Sequence, residues 1–284
     1  MVKTLVNILH NYKPFVKRVG WKRQLLPVFR RIYPKFFNRY FEPFVWWGAV
    51  FFDLRNIYWI EFTAYLFDIN DELINTYNVI KFQVYDLVEE LKNYPYDKEF
   101  YYKIRNLDRD PSFKNLNPVK RAARFIYLNR TCYNWLWRVN SKWQFNVPFG
   151  RYKNPLICDE ENLIAVSKAL QNTIIKNIDF TEVLKYAEKG DFIYFDPPYD
   201  VLTQTANFTN YTSWWFTRQD QIKLAEVFRE LDKRWCFVML SNHNTEFIRN
   251  LYKDYRIDIV WAKRAVNSKA EGRKGVEEVV VRNF

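Results

Sequence analysis

Glycine is scarce in this sequence. Only six glycines occur among 284 residues, whereas about 7% of the residues in an ordinary protein are glycine. Tryptophan, normally the rarest residue, occurs eleven times. The chain is therefore rich in the largest side chain and poor in the smallest one.

Cysteine and long apolar runs are also lacking. The three cysteines, Cys132, Cys158 and Cys236, stand far apart, so they form neither a metal-ligand pattern nor a disulfide framework. No run of about 18 apolar residues occurs, and the first residues lack the layout of a signal peptide. We expect a cytoplasmic protein that binds no metal and does not enter a membrane.

Acidic residues are too few to balance the basic ones. Lysine and arginine number 44 against 32 acidic residues, which gives a net charge of +12. Such a charge favours a polyanionic partner, and together with 20% aromatic residues it indicates nucleic acid. The apolar content of 49% suffices for one large domain, or for one core with an insertion.

The most informative stretch is FIYFDPPYD, residues Phe192–Asp200. Its first four residues, Phe192–Phe195, are apolar or aromatic and predict a short buried strand. Two prolines then follow Asp196, and they stiffen the backbone where a central strand cannot continue. A carboxylate, rigid carbonyls and the ring of Tyr199 at a strand end could hold a planar ring that bears an amino group. The alternative is a strand that stops at Pro-Pro, with Asp196 capping a turn.

The remaining pattern predicts an α/β fold. Strand, turn, helix and strand follow one another from Arg39 to Ile69, with Asp68 twenty residues after Gly48, which is how open α/β sheets build a nucleotide site. We expect strands at Arg39–Phe44, Ala64–Ile69, Thr173–Ile178, Phe192–Phe195 and Cys236–Leu240, a closing antiparallel hairpin at Arg256–Trp261 and Glu277–Val281, and helices at Lys22–Tyr33, Ala49–Leu54, Thr181–Glu188 and Thr217–Leu231. Residues from Asp71 to about Leu156 are expected to form a helical insertion.

Asp-Pro-Pro-Tyr in this setting resembles the motif of DNA amino-methyltransferases. Other stretches resemble the Dam-type (D12 class) branch, which methylates adenine N6 in GATC. They are FEPFV and GAVFF within Phe41–Phe52, DINDELIN at Asp68–Asn75, RAARFIYLNRTCYN at Arg121–Asn134, QFNVPFGRYKNP at Gln144–Pro155 and SNHNTEFI at Ser241–Ile248. The resemblance runs from about Lys13 to Phe284.

The resemblance implies a Rossmann-like methyltransferase core with a mixed seven-stranded sheet and an inserted, mainly helical DNA-recognition domain. Residues 1–70 and 161–284 would form the catalytic core, and residues 71–160 would recognise the target. It further implies a partner of double-stranded DNA, a monomer in solution, and a restriction–modification system with a cognate endonuclease.

The cofactor implied by the resemblance is S-adenosylmethionine. Asp68 would bind its ribose, Asp179 and Phe180 would lie near its adenine ring, and Asp196 near its methionine end. The full set of positions is Arg18, Gly20, Lys22, Phe44, Gly48, Asp68, Asp179, Phe180 and Asp196. Arg18 departs from the family, which usually has an aromatic residue there.

The implied catalytic residues are Asp196, Pro197, Pro198 and Tyr199. The target adenine must leave the duplex, after which Asp196 and the Pro197 carbonyl would accept hydrogen bonds from N6 while Tyr199 stacks on the ring. For DNA recognition the resemblance implies Arg138 on a guanine, because arginine pairs bidentately with guanine. Further implied DNA contacts are the gap-filling Tyr133 and Asn134, the phosphate-binding Arg151 and Lys153, and Lys17 on the first base pair.

Tryptophan stands where the family has glycine, namely at Trp21, Trp46, Trp47, Trp135, Trp143, Trp215 and Trp235, with Trp59 and Trp214 as further candidates. Two indoles in the turn at Trp46 and Trp47 would fill the cofactor site, because that turn needs glycine. One explanation is an inactive DNA-binding relative. The other is a gene in which UGA encodes glycine, read with a table in which UGA means tryptophan.

The alternative enzyme is an N4-cytosine methyltransferase, which shares the same motif chemistry.

Overall fold

The computed structural model describes residues 11–17, 22–58, 62–201, 216–262 and 276–284. Several of the positions singled out above lie outside these residues: Arg18, Gly20, Trp21, Trp59, Trp214 and Trp215.

A mixed sheet of seven strands organises the fold. Its strands are β1 (Arg39–Pro43), β2 (Thr63–Phe67), β3 (Thr173–Lys176), β4 (Phe192–Phe195), β5 (Phe237–His243), β6 (Arg256–Ala262) and β7 (Val276–Arg282). They lie in the order β3-β2-β1-β4-β5-β7-β6. Strand β1 runs parallel to β2 and β4, and β4 parallel to β5, whereas β7 is antiparallel to β5 and β6. The predicted α/β methyltransferase fold, with its closing hairpin, is confirmed.

Nine α-helices accompany the sheet within the described residues. They are α1 (Lys22–Ile32), α2 (Ala49–Tyr58), α3 (Asp71–Phe82), α4 (Val84–Lys92), α5 (Lys98–Asn106), α6 (Pro118–Thr131), α7 (Glu160–Ala169), α8 (Arg218–Lys233) and α9 (Glu246–Leu251). The helix predicted at Thr181–Glu188 is instead a 3₁₀ helix at Phe180–Lys185. Asp179 caps it by accepting from the Thr181 N–H, and such tight helices rarely extend beyond a few residues.

The chain divides into two compact units. Within the described residues, the first unit comprises residues 11–17, 47–58 and 70–175, and the second comprises residues 22–46, 62–69, 176–201, 216–262 and 276–284. The first unit is mainly helical. The second unit contains most of the sheet.

The core of the second unit lies around β4 and α8. All four residues of β4 are buried, as expected for a central parallel strand covered on both faces. Leu224, Phe228 and Leu231 on α8 are fully buried in the same core. Their spacing places them on one face of the helix, and a capping box between Thr217 and Asp220 fixes where that helix begins.

The first unit is built around α6. Asn117 caps this helix and Pro118 occupies its first turn, which is a favourable arrangement for a helix start. Eleven of its fourteen residues are buried. The buried guanidinium of Arg124 donates to the carbonyls of Ile104 and Arg105 at 2.9 and 2.8 Å and pairs with Asp108 at 2.6 Å. The buried charge of Arg124 therefore has hydrogen-bonding and ionic partners, which offset the cost of its burial.

None of the helices in the described part of the chain is long and apolar enough to span a membrane. The three cysteines are free thiols, and Cys132 and Cys236 are buried. Burial raises the pKa of both thiols to about 12, so these two side chains are inert parts of the packing.

Candidate active site and DNA-facing residues

The carboxyl ends of three parallel strands meet at one edge of the sheet. Pro43 at the end of β1 pairs with Phe67 at the end of β2, and Tyr40 pairs with Phe192 at the start of β4. Asp68 and Asp196 follow β2 and β4 directly, and each is only 9% exposed. Ligands of open α/β sheets bind outside this edge, so the two carboxylates stand in the expected place for a site.

Trp46 connects these two acids. It lies in the turn between β1 and α2 and has φ 44. Its backbone N–H donates to Oδ2 of Asp68 at 3.1 Å. Its indole Nε1 donates to the backbone carbonyl of Asp196 at 2.8 Å. The indole therefore lies against the motif that was predicted to be catalytic.

The side chains of the Asp-Pro-Pro-Tyr motif are held by a cation and a second carboxylate. Lys22 Nζ lies 2.9 Å from Oδ1 of Asp196 and 4.0 Å from Oε2 of Glu278, and it also donates to the hydroxyl of Tyr199. The Tyr199 hydroxyl in turn donates to Oε2 of Glu278 at 2.9 Å. Burial, with the charges of Asp196 and Glu278, raises the pKa of Tyr199 well above its usual value, so this phenol stays neutral.

The backbone of the motif is anchored as well. Gln221 Nε2 donates to the Pro198 carbonyl at 2.8 Å, and the Asp200 N–H donates to Oδ1 of Asn242 at 2.9 Å. His243 is half-buried, with its Nδ1 2.6 Å from the Asp200 carbonyl. Its ring also lies edge-on to Tyr199, with centroids 4.9 Å apart. Pro197 is buried, so the motif is a rigid part of the second unit.

An aromatic surface follows the first strand. Phe44 stacks on Phe180 with centroids 5.2 Å apart and an angle of 25° between the rings. Phe216 stands edge-on to both rings, at 5.5 and 5.7 Å. The carboxylate of Asp179 accepts from the N–H and the hydroxyl of Thr181 at 3.0 and 2.6 Å. Phe180, which was predicted to lie near the adenine ring with Asp179, thus contacts Phe44, another of the predicted cofactor-binding residues.

Gly48 and Trp47 belong to the first unit. Gly48 has φ +63, and a Cβ there would lie 2.9 Å from the hydroxyl of Tyr77, so this position requires glycine. Trp47 is 9% exposed and its ring lies 6.1 Å from that of Phe125. Its indole Nε1 is buried and has no hydrogen-bond partner among the described residues, which is unfavourable.

Several of the predicted DNA contacts lie close together in the first unit. Lys17 is exposed; its N–H donates to Oδ1 of Asn129 at 2.8 Å, and its Nζ lies 5.2 Å from the ring centre of Trp135. Trp135 stacks on Tyr152 with centroids 5.3 Å apart. The predicted phosphate ligands Arg151 and Lys153 flank Tyr152 and are exposed, and so is the predicted Tyr133 at 52%. Asn134 has φ 51.

Arg138 lies on a hairpin in the same unit. Its backbone carbonyl accepts from the Asn146 N–H at 3.0 Å, and its Nε donates to the side-chain oxygen of Asn146 at 2.7 Å. Val139 and Phe145 pair next along this hairpin. The guanidinium is therefore held on one side by a neutral partner.

Glu278 is the site residue that sequence reasoning missed. It lies on β7, which was expected only as part of a closing hairpin, and it is 1% exposed. The signal was a pair of adjacent acids in a strand of valines. Because successive side chains of a strand point to opposite faces, one of the two had to face inward. Among the described residues, no cluster of three or more His, Cys, Asp or Glu could hold a metal ion.

Comparison with known proteins gives consistent relatives along nearly the whole chain. The model of the family described as "D12 class N6 adenine-specific DNA methyltransferase" matches residues 19–266. The chain is 43% identical over 278 residues to the type II methyltransferase M1.LlaDCHI of Lactococcus lactis subsp. cremoris, covering 96% of each chain. It is 45% identical over 289 residues to the type II methyltransferase M.MjaIII of Methanocaldococcus jannaschii, covering 96% of this chain and 99% of the relative. It is 35% identical over 273 residues to the DNA adenine methylase of Escherichia coli K12, covering 94% of each.

Proposed function

Because this chain belongs to the D12 class N6 adenine-specific DNA methyltransferase family, we propose that it methylates adenine N6 within GATC sites of double-stranded DNA and takes the methyl group from S-adenosylmethionine. The observation that best supports the proposal is the position of the Asp-Pro-Pro-Tyr motif. Asp196 directly follows β4 at the carboxyl edge of the parallel strands, and Lys22 lies 2.9 Å from its carboxylate.

The motif can act on an adenine that has left the duplex. Flipping costs a few kcal/mol because the base loses its stacking and pairing. The Asp196 carboxylate and the Pro197 carbonyl then accept hydrogen bonds from the amino group, which keeps electron density on the nitrogen. The ring of Tyr199 stacks on the base, while Glu278 and Lys22 fix its hydroxyl. Holding the amino group in one orientation supplies much of the rate enhancement.

The residues for S-adenosylmethionine fit in part. When bound, the cofactor supplies an electrophilic methyl group. Asp68 offers a carboxylate for ribose hydroxyls, and Phe44 and Phe180 offer an aromatic surface for a purine. The indole of Trp46 does not fit, because it binds the Asp196 carbonyl and its N–H engages Asp68. Gly48, Asp179 and Lys22 complete the proposed set within the described residues.

The helical unit is the proposed DNA-reading part of the molecule, in line with the role predicted for residues 71–160. Arg138 would pair with guanine O6 and N7, a contact worth about 1–3 kcal/mol of discrimination. Tyr133 and Asn134 would fill the gap left by the flipped base. Arg151 and Lys153 would bind the phosphate backbone, which positions the protein without specifying sequence. Lys17 would reach the first base pair. The net charge of +12 supports binding that weakens with salt.

A methylation assay on two chains tests the proposal. One is the chain as printed, and the other, the glycine-restored chain, carries glycine in place of Trp21, Trp46, Trp47, Trp135, Trp143, Trp215 and Trp235. Both are incubated with S-adenosylmethionine and with duplexes that contain GATC or a variant with one guanine replaced. Mass spectrometry of the digested DNA then identifies the methylated base.

We expect N6-methyladenine in GATC from the glycine-restored chain. The printed chain should show salt-sensitive DNA binding without methyl transfer, because the Trp46 indole covers the Asp196 carbonyl. Detection of N4-methylcytosine instead would show that the target base is cytosine and not adenine. A glycine-restored chain that binds DNA but not S-adenosylmethionine would make the protein a DNA-binding relative without activity.

A further inference from the structure

We infer that the natural polypeptide carries glycine at positions 46, 135, 143 and 235, and that the gene encodes these glycines with UGA codons. Backbone geometry, and not the proposed activity, points to these glycines. L-residues with large side chains rarely adopt the left-handed backbone conformation.

Tryptophan occupies more left-handed positions than glycine does in the described residues. Of the seven described tryptophans, four have φ between 44 and 62: Trp46, Trp135, Trp143 and Trp235. The other three, Trp47, Trp137 and Trp261, have no positive φ. Only Gly48 and Gly190 among the described glycines have positive φ. Each of the four tryptophans stands in a turn whose geometry selects glycine for a reason of its own.

Trp235 follows the C-terminus of α8. Its N–H donates to the Asp232 carbonyl at 2.8 Å, and the N–H of Cys236 donates to the Leu231 carbonyl at 3.1 Å. These two bonds with φ 62 at Trp235 form a Schellman motif, whose left-handed position is usually glycine. The indole is 74% exposed, so packing does not explain a tryptophan there.

Trp143 closes the three-residue loop of the hairpin that holds Arg138. Its N–H donates to the Asn140 carbonyl at 3.0 Å, and the Asn140 N–H donates to the Gln144 carbonyl at 2.9 Å. Hairpin loops of this kind combine a tight turn with a final left-handed residue, for which glycine is preferred. Trp143 has φ 62 and is 61% exposed.

Trp135 is the second of two consecutive left-handed residues. Asn134 has φ 51 and Trp135 has φ 50, and the Leu136 N–H donates to the Tyr133 carbonyl at 3.3 Å. Positive φ at both central residues is the signature of a type I′ turn, for which Asn-Gly is the favoured pair. Asparagine tolerates this conformation, whereas tryptophan does not.

Trp46 stands in the turn after β1, where its φ is 44. Its indole reaches the Asp196 carbonyl, and its N–H reaches Asp68. Glycine would keep the backbone bond to Asp68 and would remove the side chain from the edge of the sheet. In the first unit, the buried indole Nε1 of Trp47, which lacks a partner within the described residues, indicates that position 47 also suits a smaller residue.

One change in the reading of a codon accounts for all these positions. Unrelated turns in both units carry tryptophan at a left-handed position, and the chain has eleven tryptophans but only six glycines. Independent substitutions would replace glycine by various residues rather than by tryptophan each time. A UGA codon assigned to glycine in the host, but translated as tryptophan, produces this pattern.

The deciding experiment reads the codons of the gene and the masses of tryptic peptides of the protein from its own cells. We expect UGA codons and glycine at positions 46, 135, 143 and 235, and UGG codons and tryptophan at positions 137 and 261. UGG at the first four positions, or tryptophan in the native peptides, would overturn the inference. Neither result depends on methyltransferase activity.

A stability measurement tests the backbone argument on the printed chain. Trp143→Gly and Trp235→Gly should each raise the melting temperature by roughly 2–4 °C, the shift typical for relief of one strained position. Trp261→Gly is the matched control, because Trp261 is equally exposed at 68% but lies in β6 with ordinary φ. It should lower the melting temperature, since glycine weakens a strand. Equal losses in all three variants would show that these two backbones do not require glycine.

Discussion

The hydroxyl of Tyr199 donates to Oε2 of Glu278 at 2.9 Å, although the two residues stand 79 positions apart in the chain. Glu278 pairs with His243 across β5 and with Val260 across β6, so its position is fixed by two neighbouring strands. The same carboxylate lies 4.0 Å from Lys22, which holds Asp196. Glu278 therefore orients both the ring of Tyr199 and the ammonium group of Lys22.

Glu278→Gln in the glycine-restored chain should lower kcat about tenfold and leave the affinity for DNA unchanged. Hydrogen bonds to a charged group are worth about 1.5–3 kcal/mol, and the neutral amide weakens the bond that orients Tyr199. Single-turnover methylation and DNA binding measured side by side give the two values.

Glu277→Gln is the matched control for that variant. Glu277 is the preceding residue of β7, and its Oε2 accepts from Asn244 Nδ2 at 2.6 Å. The Glu277→Gln protein should retain full turnover. If both variants lose activity equally, the effect is one of strand stability and not of Tyr199 orientation.

Asp196→Ala should reduce kcat of the glycine-restored chain by about a hundredfold or more, because the amino group loses the acceptor that orients it. DNA binding should persist, since the proposed DNA contacts Lys17, Arg151 and Lys153 lie in the other unit. A fluorescence anisotropy titration measures binding, and methyl incorporation measures turnover. Near-normal turnover would refute the catalytic assignment.

Arg138→Ala should relax discrimination at one guanine of GATC by about 1–3 kcal/mol, while methylation of GATC continues at reduced efficiency. The comparison variant is Arg151→Ala, which should weaken binding to all sequences alike. Competition between GATC duplexes and duplexes with one guanine replaced measures the ratio. An equal loss on every duplex would make Arg138 a phosphate contact.

Tyr252→Phe should raise stability in neutral buffer by about 1 kcal/mol, because the Tyr252 hydroxyl is buried without a hydrogen-bond partner among the described residues. Burial also raises the pKa of Tyr252 above its usual value of 10.0. The folded protein keeps this phenol neutral while the unfolded chain ionises it, so stability is lost as the pH rises above about 10.

Urea unfolding from pH 8 to pH 11 checks this prediction, and the loss at high pH should be smaller in the variant. Tyr255→Phe serves as the comparison, because the Tyr255 hydroxyl donates to Asp232 at 3.1 Å. That variant should be less stable in neutral buffer. A Tyr252→Phe protein that is destabilised at every pH would contradict the account.

Much of the sheet could be predicted from local pattern. The apolar run at β4 and its end at Asp196 follow from residue type and from proline, which cannot continue a central strand. The helix at Phe180–Lys185 could not be predicted in the same way. Its sequence allows an α-helix, whereas the structure has a short 3₁₀ helix there, with Phe180 and Val183 buried. The family resemblance implied glycine at several positions that hold tryptophan, but only the backbone angles show which of these positions are left-handed.

The sequence by itself determined the succession of strands along the chain, the acids at the carboxyl edge and the basic charge, because each depends on neighbouring residues or on composition. Only the tertiary structure decided that Glu278 meets Tyr199, that Asn146 holds Arg138, and that the Trp46 indole binds the Asp196 carbonyl. The Tyr199 and Trp46 contacts join residues 79 and 150 positions apart. They arise from which strands become neighbours in the sheet, and local sequence preferences carry no record of that choice.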